Sequence, residues 1–206
     1  MLGRWARGVG AAIRRARNPL RWVALAYAVG VSAGVIAVHA GSPFALRERD
    51  RIVGHAVVHD VPSLALARGK RVSAALFDFV GNLGRGAVPY TIMGLGVVFP
   101  LPLVVYQGWV GGIVSIDGHH ASRFGSAREA LYYTGVMLLQ LIPYSLAAAA
   151  GIRLGLAFVM PKGRYGYPGT KRWLGLPSEG VRDVLRIYTL VVPLFLVASL
   201  VEFLLG

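Results

Sequence analysis

The chain contains no cysteine, and its charge is both sparse and one-sided. Without a thiol there can be no disulfide framework, no thiolate metal site and no cysteine nucleophile. Only 15% of the 206 residues are charged, against about 25% in an average soluble domain. That is too little to wet a surface of this size, so the expected solvent is lipid. Nine acidic residues face twenty-two basic ones, and the only lysines are Lys70, Lys162 and Lys171, so arginine carries most of the net +13. Catalytic signatures are missing as well. There is no Gly-x-Ser-x-Gly, no His-Glu-x-x-His, no Walker loop and no dinucleotide fingerprint, and neither an enzyme nor a cofactor is expected.

What is present is a set of long apolar runs. Asp, Glu, Lys and Arg are absent from Trp22 to Leu46, Gly86 to Ile116, Ala130 to Ile152 and Ile187 to Val201. A helix needs roughly 20 apolar residues to cross about 30 Å of hydrocarbon, and a soluble helix of that length would show a charged face. The expectation is an all-α integral membrane bundle of about five spans, near 21–40, 72–98, 101–116, 129–160 and 181–205. Residues 1–20 form a basic segment and 21–206 a single transmembrane domain. The arginines flank the apolar runs instead of lining one face with aromatics, so anionic lipid headgroups, not nucleic acid, are the expected partner.

Local signals refine this outline. The first apolar run is longer than the roughly 7–15 residues of a signal-peptide core, so it reads as an uncleaved span. In residues 1–20, Trp5, Val9 and Ile13 fall at spacing four, as in a helix lying in the headgroup layer; a frayed basic tail fits equally. Asn18-Pro19 is expected to stop any helix there, and Phe99-Pro100-Leu101-Pro102 to turn the chain between the second and third spans. Residues 41–71 are too polar to span, yet Ile52, Val53 and Val57 give them an apolar face, as in surface helices able to dock a partner. Pro143 leaves 129–160 as either one kinked span or two half-helices. Five spans put twelve Lys and Arg on the amino-terminal side and eight opposite, which predicts a cytoplasmic amino terminus in the inner membrane.

Asp78, Asn82 and Arg85 are spaced four and three apart, which puts them on one helical face, and ionisable residues within a span usually face protein interior or water. Gln107, Gln140, Arg153 and Glu202 are the other polar residues expected at membrane depth. Three small-residue pairs, Gly30/Gly34, Gly108/Gly112 and Gly151/Gly155, suit close helix packing within the chain or with other membrane or envelope proteins, a second copy included. His55 and His59 at i, i+4 read as a solvated face more readily than as metal ligands, as do His119 and His120. His39 is placed to ligate a pigment or haem, with nothing else to support one.

The order of features resembles the stage II sporulation protein M family over roughly residues 20–206. The residues that carry the resemblance are Phe77, Phe79 and Asn82, then Gln107-Gly108, then Ala150-Gly151-Ile152-Arg153-Leu154-Gly155 with Pro161, and Glu202-Phe203. The chain departs from the family at Gln107, where Asn is usual, and at Val136-Met137 and Gln140, where the family often has His-Gly and Glu. The resemblance implies a non-enzymatic membrane scaffold that recruits partner proteins, as in cell-envelope remodelling. A transporter or permease component is the alternative, on the strength of the proline-interrupted segments with Asn82, Gln107 and Gln140 at depth. A structural subunit of a bioenergetic complex is a third, for which His39 is the one clue.

Overall fold

A computed structural model describes residues 2–205 as a nearly all-helical bundle. Helix α1 spans Leu2–His39, α2 Pro43–His59 and α3 Val61–Ala67; α4 (Arg71–Gly81) passes through a π-helical turn (Asn82–Ala87) into α5 (Val88–Gly94). Then come α6 (Pro100–Ile113), α7 (Ala127–Val159) and α8 (Ser178–Leu205), with a two-residue hairpin, β1 (Arg172–Trp173) and β2 (Leu176–Pro177), between the last two helices. Three helices, α1, α7 and α8, are long and apolar enough to cross a membrane. At 1.5 Å per residue their lengths come to about 57, 50 and 42 Å, so each outreaches a hydrocarbon core of about 30 Å.

Proline does not stop α1, contrary to the sequence expectation. The helix runs unbroken through Pro19. Its buried positions, Val9, Ala12, Ala16, Pro19, Val23, Tyr27, Gly30, Gly34 and Val38, recur every three or four residues from one end to the other. That continuous stripe packs on α6, α7 and α8, and the packing outweighs the one backbone hydrogen bond that proline removes. Trp5 is exposed, and alanines occupy the inward positions instead. Pro143 is likewise buried inside an unbroken α7, so 129–160 is one helix. The chain turns at residues 95–99, where Val97 takes a left-handed φ of 62°. Pro100 and Pro102 belong to the first turn of α6, where a missing N–H costs nothing.

The carboxyl-terminal half of α7 is the axis of the bundle. Every residue from Pro143 to Ala157 is buried, and the run of small side chains there lets neighbours approach from all sides. Helix α8 folds back antiparallel to α7: Phe195 stacks edge-on to Tyr144 at 4.7 Å, and Gln140 bonds to Glu202. Asp78 meets Ser199 and Thr91 meets Tyr188, so α4–α5 runs antiparallel to α8.

The two ends of the bundle differ in charge. Arg15 pairs with Asp183 at 2.6 Å, and Arg153 donates to the Tyr165 carbonyl; this brings the start of α1, the end of α7, residues 161–177 and the start of α8 together. At the other end Arg49 of α2 donates to the Ile116 carbonyl, and His39 shares a hydrogen bond with Ser122.

Candidate functional site

The polar residues of α4 and the π turn sit at the edge of a cavity of about 540 Å³ between α4–α5, α6, α7 and the start of α3. Ser199 of α8 donates to Asp78 Oδ2 at 2.7 Å, and Asn82 Nδ2 donates to the same oxygen at 2.8 Å. Tyr144 of α7 then donates to Asn82 Oδ1 at 2.7 Å. Asp78 and Asn82 thus face protein, held in one network by three helices. Arg85 does not share their fate. It is exposed at the cavity's edge, and no salt bridge or side-chain hydrogen bond joins it to another described residue. The physical reason is the π turn, whose i→i+5 bonding takes Arg85 out of the α-helical register that would have aligned it with Asp78. Its guanidinium folds back over Gly81, where an added Cβ would meet Nη2 at 3.0 Å.

A second cavity of about 510 Å³ lies among α6, α1, α7 and the end of α8. Glu202 and Gln140 line it, and Gln140 Nε2 donates to Glu202 Oε2 at 2.5 Å. Gln107 of α6 lines both cavities and accepts a hydrogen bond from Tyr90. Four of the expected polar residues, Asp78, Asn82, Arg85 and Gln107, are therefore gathered at the first cavity. Glu202 and Gln140 meet at the second. Arg153 belongs to neither: it is buried at the basic end, 4.6 Å from the Tyr167 ring centroid.

The glycine pairs close seams within the chain. Gly30 and Gly34 of α1 face Gly108 and Gly112 of α6 across a parallel crossing, where a Cβ on Gly112 would lie 2.9 Å from Gly34 Cα. Gly151 and Gly155 of α7 admit α5, and a Cβ on Gly155 would lie 2.5 Å from the Leu95 carbonyl oxygen. The insert divides. Ile52 packs against Val38, Ala45, Ile113 and Ile116, Val53 is half-buried, and Val57 is 61% exposed. His39 is held by Val35 and Ser122 and stacks on Phe124. His55 and His59 lie on an exposed face with ring centroids 4.6 Å apart, and among the described residues no three His, Cys, Asp or Glu gather as a metal site.

Sequence reasoning missed the hydroxyls. Tyr144, Tyr90, Ser199, Thr91 and Tyr188 supply most of the network around the first cavity, with Thr91 Oγ1 also bonded to the Ala147 carbonyl at 3.0 Å. The available signal was that a phenol inside a charge-free run must find a partner when buried. Comparison with family models, with curated proteins and with solved structures returns no match for this chain.

Proposed function

We propose that this is a non-enzymatic membrane protein that binds a small polar solute in the cavity beside α6, as a transporter or permease component does. The carrying observation is Arg85: an unpaired cation beside hydrogen-bonded Asp78 and Asn82, at a π turn, in a segment otherwise apolar. Ionisable groups at membrane depth are costly and are kept where they do work, and π turns recur at functional sites. A solute bearing an anionic group suits Arg85, with Asn82, Tyr144 and Gln107 able to hold its polar remainder. In this reading α4–α5 and α6 are two further passes, five in all, with the basic end cytoplasmic in the inner membrane. The test is uptake by proteoliposomes of a panel of small carboxylates, phosphates and amino acids. Arg85→Gln should abolish uptake without changing the melting temperature. If wild-type protein moves no member of the panel and none shifts its melting, the reading fails.

The docking reading, which the resemblance to the stage II sporulation protein M family supports, keeps one specific observation. Phe44, Val57, Val58, Val61, Leu64 and Leu66 stand exposed on α2 and α3, outside the three long apolar helices. The glycine pairs no longer support it, because all three are used inside the chain. Site-specific crosslinking from Val57 in membranes would capture a protein neighbour under this reading and only lipid under the first.

A further inference from the structure

The basic end holds a third cavity, of about 360 Å³, between the start of α1, the end of α7 and the connector to α8. Arg14, Arg15, Arg17 and Asn18 line it from α1, Arg153 from α7 and Arg164 from the connector. Five guanidiniums therefore converge on one space. Asp183 answers only one of them, bonding Arg15 at two points and sharing its charge with Arg186. Arg14, Arg17, Arg153 and Arg164 have no carboxylate within ion-pair distance among the described residues.

Arg153 makes this more than a solvated charge cluster. It is only 6% exposed, yet among the described residues its one side-chain hydrogen bond is to the Tyr165 carbonyl at 2.5 Å. The rings of Tyr165 and Tyr167 cover its guanidinium at 5.5 and 4.6 Å. A guanidinium carries five N–H donors. Most of the Arg153 donors have no protein partner among the described residues and reach a cavity that Arg14, Arg15, Arg17 and Arg164 also line.

The setting narrows what meets those donors. The charge-free run of α1 begins at Trp22. Asn18 lies one helical turn before Trp22, about 6 Å along the axis, so the cavity sits just beyond the polar end of that run. Planar guanidinium forks match the oxygens of a phosphate, and basic pockets between helices on this side of a membrane hold anionic headgroups.

We propose that this cavity binds a phosphate group, presented by the head of an anionic phospholipid or by a soluble phosphate. Arg153, buried at the cavity wall, and Arg14, Arg17 and Arg164, unpaired around it, are the contacts.

The test compares two triple variants of equal charge in the full chain. Arg14→Gln/Arg17→Gln/Arg164→Gln removes the unpaired cations of the cavity and spares Arg15 and Arg153, which tie elements together. Arg4→Gln/Arg7→Gln/Lys162→Gln removes three charges from the same end without touching the cavity. Affinity is measured in nanodiscs of phosphatidylcholine titrated with phosphatidylglycerol, and in detergent with inorganic phosphate. The cavity triple should weaken binding roughly a hundredfold in the arm that carries the ligand, and the control triple less than about threefold. Loss in the nanodisc arm alone assigns a lipid, and loss in the phosphate arm assigns a soluble source. Equal losses in the two triples, or no binding in either arm, would overturn the proposal. Matching size-exclusion profiles and helical circular dichroism show that both variants remain folded.

Discussion

The two flanks of α6 are built on opposite principles. Against α1, backbone touches backbone through four glycines, with no room for a methyl group. Against α5 and α7 the helix is held loosely, and cavities of about 540 and 510 Å³ fill the gaps. Dispersion between close helices does on the first flank what the hydrophobic effect cannot do in lipid. On the second flank close packing is given up, and hydroxyls, amides, the carboxyl groups of Asp78 and Glu202, and Arg85 and Arg123 stand where side chains would otherwise interdigitate. The difference separates a part of the protein that is fixed from one that can accommodate another molecule.

The sharpest way to break the comparison is to spoil the tight flank. Gly112→Leu drives a side chain into the Val31–Val35 backbone of α1, and overpacking of this kind costs about 1–3 kcal/mol even where neighbours can shift. Backbone cannot shift so far, so the variant should yield no monodisperse protein in detergent by size exclusion. Leucine at Gly135, which has nothing within 4 Å of its added Cβ, is the control and should behave as wild type.

On the loose flank the expected loss is smaller and confined to the network. Asp78→Ala removes the acceptor of both Ser199 and Asn82, and leaving such donors unpaired costs about 1–3 kcal/mol. Melting in detergent should fall accordingly, whereas Val80→Ala, on the exposed face, should change it little. Equal shifts for the two would mean that the network contributes nothing to stability.

Much of the tight flank was legible in the sequence; of the loose one the charged and amide residues were legible, but not their hydroxyl partners or their register. Small-residue pairs four apart announce close approach, and charge-free runs announce α1, α7 and α8. The π turn does not announce itself: Asn82-Leu83-Gly84-Arg85 reads as ordinary helix, and only tertiary packing selects the wider register that turns Arg85 outward. Pro19 misled for the same reason, while Pro143 left one span or two half-helices open. Each lies fully buried between packed helices, and burial on neighbours decides continuity. Arg153 was legible as an ionisable residue at depth, but its place at the basic end depends on how α1 and α7 pair.

The insert provides a finer contrast of the same type. Ile52→Ser opens the cluster with Val38, Ile113 and Ile116 and should lower stability by about 1–2 kcal/mol. Val57→Ser, on the exposed side of the same helix, should leave the melting temperature within error. If both were silent, the insert would not be docked on the bundle at all.

The smallest expected effect is at the connector between α6 and α7. Backbone N–H groups of Ala121 and His119 donate to Asp117 at 2.9 and 2.8 Å and hold its carboxyl below the usual aspartate range. A depressed folded-state value means that this contribution is present above the unfolded pKa of about 3.9 and is lost as pH falls through the folded one. Protection of amides 115–123 from hydrogen exchange, relative to the intrinsic rate at each pH, should therefore fall below about pH 4. Asp117→Asn should lower that protection at neutral pH and flatten its pH dependence.

The parallel seam between α1 and α6 also bears on how the chain is made. Helix α6 has 14 residues, about 21 Å in length, and cannot by itself satisfy a 30 Å slab of hydrocarbon. Its glycine-matched neighbour is α1, which is translated well before it, and not the helix just before it or just after. A growing polypeptide can therefore seat α6 as soon as it emerges, against a mate already waiting at the insertion machinery, before α7 and α8 have been translated.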